Sequence, residues 1–144
     1  MIYSFVVPGK PQGKARPRFD SRRKVTYTPQ KTKDYEELVR NSYLSCFMGM
    51  PPLKGALSAE IIVFFPIPKS AQKLKRESMK NGKIKPTVKP DLDNIIKAVL
   101  DALNGYAYED DATVVKIRAE KRYSDEPRVK VVLIDESGMS YFGG

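Results

Sequence analysis

The sequence predicts an α+β fold: one domain, residues 1–144, in which a small mixed β-sheet of about four strands packs with two main helices. The chain of 144 residues has the length of a single domain and is long enough to bury one core. Its hydrophobic fraction of 41% is ordinary for a soluble globular protein. Segments with the period of strands and of helices follow one another without a repeat or a linker. A polar tail, residues 136–144, is expected to be loosely held.

The first half of the chain predicts a strand, a loop and a helix. Residues Ile2–Val7 alternate loosely between two faces and predict an opening strand. Residues 9–28 are rich in glycine, proline and basic side chains and lack a helical period, so they predict a long basic loop with a binding role. A helix is then expected with Thr28 as its cap and Pro29 as its first residue, running to about Phe47.

The second half predicts three further strands and one secure helix. The run Ala56–Phe65 is dense in β-branched and aromatic residues and predicts the strongest strand. Residues 69–82 are compatible with a short basic helix or with a flexible lysine-rich excursion. The span Asp91–Asn104 carries apolar residues at the helical spacing and is followed by a glycine in the position of a helix C-cap. Thr113–Tyr123 and Val129–Ile134 are expected to be strands that pair as a hairpin.

Composition excludes several classes of enzyme. Histidine is absent, which removes serine–histidine and cysteine–histidine triads, histidine-ligated zinc and histidine bases. A single cysteine, Cys46, cannot form an intrachain disulfide. No apolar run approaches the roughly 20 residues that span a bilayer, and the first residues do not resemble a signal peptide. We therefore expect a cytoplasmic protein with no membrane partner.

Positive charge is concentrated in two segments. The net charge is +9, from 26 basic and 17 acidic residues. Residues 10–33 carry nine basic side chains against one acidic, and residues 69–89 carry eight against one, so these two segments hold 17 of the 26 basic residues. Such clustering fits binding to a phosphate backbone, although a solvated surface would also explain it. The candidate DNA-binding residues are Lys10, Lys14, Arg16, Arg18, Arg22, Arg23, Lys85 and Lys89.

Carboxylates gather around the second predicted helix. Asp93, Lys97 and Asp101 recur every four residues and therefore share one face, distinct from the apolar stripe. Asp91 lies at the entry to the helix, and the pair Asp110–Asp111 follows its end after a short turn. The sequence does not by itself bring Asp111 to Asp91 and Asp93, because these residues flank opposite ends of the helix.

Each carboxylate also has an ordinary structural interpretation. Asp91 fits an N-cap, Asp93 with Lys97 fits an i,i+4 ion pair, and Asp110–Asp111 fits a turn. Together, in a basic protein without histidine, they favour a metal site instead. Oxygen ligands select hard cations, so the expected cofactor is Mg²⁺, with Mn²⁺ as a possibility.

One pattern joins these residues: Asp91-Leu92-Asp93-Asn94, then Lys97, then Asp101-Ala102-Leu103, then Asp110-Asp111-Ala112 before Val114-Val115. This pattern resembles the RusA family of Holliday-junction resolvases, which are small dimeric endodeoxyribonucleases often carried by prophages. The tight match covers Asp91 to about Tyr123. The opening strand, the basic loop, the helix that follows it and the total length agree with the same family.

The resemblance implies a set of roles. The family's metal-binding carboxylates fall on Asp91, Asp93 and Asp111, its essential lysine falls on Lys97, and all four are the expected catalytic residues. It implies a homodimer that resolves four-way junctions by paired nicks in recombination and repair. One departure is Lys89-Pro90, where the best-known member has a run of arginines that touches DNA, so its junction preference and cleavage-sequence preference are not assumed to transfer.

Three rival functions remain at this point. A non-catalytic DNA-binding protein, such as a phage regulator, explains the charge but not the aspartates. A phosphotransferase or glycosyltransferase with an Asp-x-Asp motif is disfavoured, because no glycine-rich phosphate loop appears. A nuclease with a broader preference for branched DNA would use the same residues.

Overall fold

The computed structural model describes residues 1–136 and confirms the α+β fold with a mixed four-stranded sheet. The strands are β1 (Ile2–Pro8), β2 (Arg18–Asp20), β3 (Val25–Tyr27), β4 (Leu57–Pro66), β5 (Val114–Ser124) and β6 (Arg128–Asp135). The helices are α1 (Gln30–Phe47), α2 (Lys73–Lys80) and α3 (Leu92–Leu103), with a 3₁₀ turn at Asp111–Thr113. None of these helices combines the length and the apolar character needed to cross a bilayer.

The main sheet has the strand order β1-β6-β4-β5. Strand β4 lies antiparallel to β6 and parallel to β5, and β6 is also antiparallel to β1. Alternate residues of β1, β4 and β6 are buried on one face, as Tyr3, Phe5 and Val7 of β1 illustrate. These side chains form one core with the apolar faces of α1 and α3. The sheet therefore holds α3 across its surface, and α3 is the helix that carries the aspartates.

The expected hairpin between the last two strands was wrong. Strand β4 lies between β5 and β6, because Pro66 pairs with Ser124 while Phe64 pairs with Arg128. Residues 125–127 thus pass across the end of β4 to join strands on its two sides. The physical reason is burial: β4 is apolar and buried along most of its length, whereas β5 is largely exposed and rich in basic residues. A charged strand is suited to the edge of a sheet, and an apolar one to its centre.

Two other expectations need correction, and one open alternative is resolved. The segment 9–28 is not a plain loop, because β2 and β3 form an antiparallel hairpin inside it. Helix α1 begins one residue later than expected, with Pro29 at the N-cap position, and no side chain caps it, so Thr28 is not the cap. Residues 73–80 of the 69–82 segment are helical, which resolves the alternative left open above.

The remaining predicted elements agree with the structure to within a residue or so. Helix α3 begins after Asp91 and ends before Asn104, and Gly105 follows with φ +82°, the left-handed conformation that favours glycine. Within the predicted tail, the backbone amide of Glu136 donates a hydrogen bond to the carbonyl of Ala56, the residue before β4. Its side chain accepts a hydrogen bond from Ser58 of β4. Residues 137–144 lie outside the described residues.

Candidate active site and nucleic-acid interface

Asp91 stands at the entry to α3 but does not cap it with its side chain. Its backbone carbonyl accepts the first helical hydrogen bond, from the amide of Ile95 at 3.1 Å. Its half-exposed carboxylate instead pairs with the exposed ammonium of Lys89, with 2.9 Å between Nζ and Oδ1. The N-cap interpretation of this side chain therefore does not hold, and among residues 1–136 its ion-pair partner is an exposed surface lysine. The carboxylate can exchange that partner at little cost, because an exposed ion pair contributes at most about 1 kcal/mol.

Asp93 and Lys97 project from the exposed face of α3, one turn apart. Within residues 1–136 neither side chain joins an ion pair, although an i,i+4 pair between them was the ordinary alternative. Asp93 also lies in the first turn, where a negative charge interacts favourably with the helix dipole. A carboxylate and an ammonium are thus presented to solvent without neutralising each other, as a site for an ionic ligand requires.

Asp101 lies on the same face of α3, one turn after Lys97, and its carboxylate forms an ion pair. Its carboxylate lies 3.2 Å from the ammonium of Lys14, which also contacts both carboxylate oxygens of Glu36 on α1 at 3.2 Å. Lys14 is mostly buried, with 19% of its side chain exposed. Burial lowers the pKa of Lys14, but the hydrogen bonds and charges of the two carboxylates outweigh it, so the pKa lies above its ordinary value of 10.5. Lys14 therefore links the basic loop to both main helices.

The chain around Lys14 is docked against the start of α3. The Lys14 amide donates a hydrogen bond of 2.9 Å to the carbonyl of Asn94, and the Ala15 amide donates one of 3.2 Å to the hydroxyl of Thr32 on α1. A Cβ added to Gly13 would lie 3.1 Å from the Cβ atoms of both Asn94 and Pro90. A side chain at position 13 would therefore require Asn94 or Pro90 to shift by a few tenths of an ångström, so glycine suits the close approach of the loop to the helix.

Asp111 is positioned at the other end of α3. Its amide donates a hydrogen bond of 2.9 Å to the side-chain oxygen of Asn104, the residue that ends the helix. The turn between them is anchored by Tyr108, whose buried hydroxyl donates to the Leu100 carbonyl at 2.7 Å. Burial, followed by the negative charge of Asp111 and its acidic neighbours, raises the pKa of Tyr108, so it remains a neutral donor at physiological pH. The position of Asp111 is therefore tied to the rigid core.

Asp111 lies in a negative environment. Burial raises the pKa of its carboxyl, and a hydrogen bond with Asp110 and the charges of Asp110 and Asp101 raise it further, against a smaller opposing effect of Asn104. No basic group contributes to this shift. A cation bound beside Asp111 would relieve the repulsion, which makes the site electrostatically suited to one.

The structure separates the predicted metal ligands into two groups along α3. Asp91 and Asp93 lie at its N-terminal end, and Asp111 lies beyond its C-terminal end, next to Asp101. The helix has 12 residues and is therefore about 18 Å long. Within residues 1–136, no three acidic or cysteine side chains are already gathered in a geometry for a metal ion. The three predicted ligands fit a hard cation chemically, because all are carboxylates. Asp91 is held only by an exposed ion pair, and Asp93 has no ion pair among residues 1–136.

The predicted DNA-binding residues fall into three places. Arg22 and Arg23 lie in the turn of the β2–β3 hairpin, which Asp20 holds by accepting hydrogen bonds from both of their amides. Beside them Phe19 is 65% exposed. Arg16 and Lys85 are exposed on the loops before this hairpin and after α2. The third place is a pocket whose lining includes Lys10, Arg18 and Lys89.

Three residues of this region were not predicted. Lys31 lines the same pocket from the first turn of α1, and its place in the basic 10–33 cluster was the available signal. Glu36 holds Lys14, and Asn104 holds Asp111. Neither contact has a sequence signature, because each joins residues that are distant in sequence or in different elements. Lys14 is mostly buried and pairs with both Glu36 and Asp101, whereas the other predicted basic residues are exposed. Of these, Arg23 and Lys89 each pair with one carboxylate.

We predict that Lys14→Met destabilises the protein by about 1–3 kcal/mol, because Glu36 and Asp101 lose their shared cation while remaining partly buried. The raised pKa of Lys14 fixes the pH dependence. Its stabilisation is complete below the ordinary pKa and is lost as pH rises through the folded-state pKa. Urea unfolding should therefore show the difference between wild type and variant at about pH 8 and a smaller one at about pH 11. Lys33→Met, on the exposed side of α1, is the matched control and should change stability by less than about 0.5 kcal/mol.

Comparison with known proteins agrees with the residue pattern. The family model for the endodeoxyribonuclease RusA matches residues 8–134. The chain is also 37% identical over 139 residues to the uncharacterized protein YqaN of Bacillus subtilis (strain 168), which covers 92% of this chain and 96% of that protein. The family match spans both clusters of aspartates, the docked loop, β4, β5 and nearly all of β6. The chain therefore belongs to the RusA family of endodeoxyribonucleases.

Proposed function

We propose that this protein is a Mg²⁺-dependent endonuclease that resolves Holliday junctions by paired symmetric nicks, in the service of DNA recombination and repair in the cytoplasm. The observation that carries this proposal is the exposed face of α3. Asp93 and Lys97 stand there without ion-pair partners among the described residues, between carboxylates at both ends of the helix. Membership of the RusA family supports the nuclease class.

The aspartates would serve as the metal ligands. Asp91, Asp93 and Asp111 supply only oxygen donors, the type that Mg²⁺ and Mn²⁺ prefer. When bound, the metal would polarise the scissile phosphate and lower the pKa of a coordinated water. Asp93 has no ion pair to break among residues 1–136, and Asp91 is paired only with an exposed lysine that can release it to the solvent. Asp110 is adjacent to the expected ligand Asp111, and its charge favours a cation there.

Lys97 would act on the phosphate group directly. It is exposed and, among residues 1–136, free of any ion pair, so its ammonium can approach a phosphate oxygen. In that position it would stabilise negative charge that develops during attack, or hold the attacking water. Lys14 is unsuited to the same role, since two carboxylates already occupy it. We therefore separate a catalytic lysine, Lys97, from a positioning lysine, Lys14. The expected products carry 5′-phosphate and 3′-hydroxyl ends, which a ligase can seal.

The hairpin and the docked loop would form the DNA-binding face. The β2–β3 hairpin packs mainly on itself and displays arginines beside the exposed rings of Phe19 and Tyr27. Arginine binds phosphates through several donors, and aromatic rings stack on bases that a branch point exposes. Lys89, which lines a pocket together with Arg18, extends this surface toward α3. The exposed Lys85 would supply a further phosphate contact. A branched substrate suits such a combination better than an intact duplex does.

The decisive test is cleavage of a labelled synthetic four-way junction by wild type and Asp93→Asn. We expect paired symmetric nicks by the wild type with Mg²⁺ and none with EDTA. The variant should cut at least about a hundredfold more slowly, because stabilisation by a metal is worth several kcal/mol in the transition state. Its binding to the junction should be retained, since a negative charge has been removed from a surface that meets phosphates.

Asp34→Asn is the matched control, as it neutralises an exposed aspartate on α1. Cutting by Asp93→Asn at the normal rate would refute the assigned site. Tight junction binding without nicks would instead identify a non-catalytic DNA-binding protein. Equal cutting of flaps and other branched substrates would indicate a branched-DNA nuclease of broader preference.

The contribution of the exposed arginines to binding should appear in the salt dependence. We predict that Arg16→Ala/Arg22→Ala reduces the slope of log affinity against log salt by about 2, because each lost phosphate contact removes about one released counterion. The control is Lys116→Ala/Lys130→Ala, which removes the same charge from exposed positions of β5 and β6. Equal slopes for the two double variants would show that only net charge matters.

A homodimer follows from the proposed reaction. Symmetric resolution needs two nicks, and one chain carries one set of candidate catalytic residues. Two copies related by a two-fold axis would present two such sets to opposite strands of the junction. We expect light scattering to give a mass twice the 16.3 kDa of the chain at micromolar concentration. A monomeric mass, both alone and on the junction, would contradict this prediction.

A further inference from the structure

A basic pocket lies beside the start of the catalytic helix. Its volume is about 440 Å³. Four cationic side chains line it, namely Lys10 and Arg18 from the basic loop and hairpin, Lys31 from α1, and Lys89 from the approach to α3. No carboxylate lies among its lining residues. Lys89 is paired with Asp91 outside the lining, but Lys10, Arg18 and Lys31 form no ion pair among residues 1–136, so this concentration of positive charge indicates a site for an anion.

The rest of the lining indicates more than an inorganic anion. Pro11, Pro29 and Pro90 line the pocket together with Ala15. Proline rings and a methyl group offer apolar surface against which a flat ring or a sugar can pack. The volume lies within the range of about 300–1,000 Å³ that is usual for sites of small organic ligands. A ligand with a phosphate at one end and a planar apolar body at the other fits this division of the lining.

The walls of the pocket are held in place before any ligand arrives. The loop wall is fixed to α3 by the bond from Lys14 to Asn94 and to α1 by the bond from Ala15 to Thr32. The close contact of Gly13 with Pro90 joins the loop to the residue immediately before Asp91. The pocket is therefore formed before a ligand binds. Its lining residue Pro90 directly precedes Asp91, the first predicted metal ligand.

We propose that this pocket binds one unstacked nucleotide of the branched DNA, next to the phosphate that is cut. The phosphate of that nucleotide lies among Lys10, Arg18 and Lys31, and its sugar and base pack on the proline rings. The proposal rests on the proposed function, since it names the part of the substrate that the same site would recognise.

A branch point is the place where such a nucleotide is most easily supplied. Turning a base out of a duplex costs a few kcal/mol for unstacking and unpairing, and the cost is least where pairing is already disturbed. A pocket that accepts one turned-out nucleotide would thus select disturbed positions over intact duplex. The recognition is of shape and exposure, and it requires no reading of base edges in a groove.

The test places 2-aminopurine, whose fluorescence rises when it leaves the base stack, at each position around the crossover of a four-way junction. The measurement is made without metal, so that no strand is cut. We expect wild type to raise the fluorescence at one position in each symmetric pair of strands. Lys31→Ala should lose this rise, whereas Lys33→Ala, on the same turn of α1 but outside the pocket, should retain it. Ala15→Trp, which fills the pocket while keeping its backbone bond to Thr32, should also lose it.

A wild-type protein that cuts junctions with no fluorescence rise at any position would overturn the pocket proposal and leave the proposed function intact. The same rise in Lys31→Ala and Ala15→Trp as in wild type would also overturn it. If the protein neither cuts nor binds junctions, the proposed function fails, and the pocket is tested alone by titration with thymidine 5′-monophosphate. Saturable shifts of amide signals around Lys31 in wild type, lost in Lys31→Ala, would then support a nucleotide site, and no shifts would refute it.

Discussion

The arrangement of the site depends on one contact, the docking of residues 13–15 against α3. Three independent interactions make it: the close packing of Gly13, the amide bond of Lys14 to Asn94, and the ammonium of Lys14 between Glu36 and Asp101. The loop, α1 and α3 come from distant parts of the chain, so nothing local sets their relative positions. Since a mostly buried cation with two carboxylates is costly to separate, the contact is maintained as a unit. The loop wall of the pocket and the entry to α3 are held in position by it.

The same contact determines which charges remain for a substrate. Asp101 and Lys14 occupy each other, and so do not act on phosphate or metal. Asp93 and Lys97 lie on the same helix, about two turns and one turn before Asp101 respectively, and keep their charges exposed. Each of these pairs contains one aspartate and one lysine. Only Asp101 is contacted by the loop, and so only its charge is neutralised. Because Lys14 of the docked loop neutralises Asp101, Asp93 is the carboxylate that stays available on this face of α3.

Much of the fold and part of the site were predictable from the sequence, and the division has a physical basis. Helix α3 was accurate because its apolar period, its first-turn acid and its terminal glycine are all local signals. The placement of β4 between β5 and β6 was missed because adjacency in sequence favours a hairpin, while the sheet order depends on burial across the whole domain. The β2–β3 hairpin was missed because its strands have three residues each, too few to show a period.

The candidate site was likewise only partly predictable from the sequence. The residue types and their spacing were sufficient to mark Asp91, Asp93, Lys97 and Asp111 as candidates. They were not sufficient to assign Lys14, whose ion pairs with Glu36 and Asp101 span 22 and 87 positions of sequence respectively. A basic residue that binds phosphate and one that neutralises buried carboxylates look alike until the fold is known. Only the surroundings distinguish Lys14 from its neighbour Arg16.

The separation of the carboxylates along α3 bears on how metal and substrate would act together. Asp91 and Asp93 lie near the basic pocket, whereas Asp111 lies in a repulsive acidic environment at the far end. Among residues 1–136, no three acidic side chains are gathered in advance around one point. If Mg²⁺ binds as proposed, phosphate oxygens of the substrate would supply further ligands, as is usual at phosphoryl-transfer sites. A nucleotide seated in the pocket beside Asp91 would deliver that phosphate to the exposed face of α3. On this view metal binding and recognition of the branch point are coupled, and the charge of an intact duplex alone does not assemble the site.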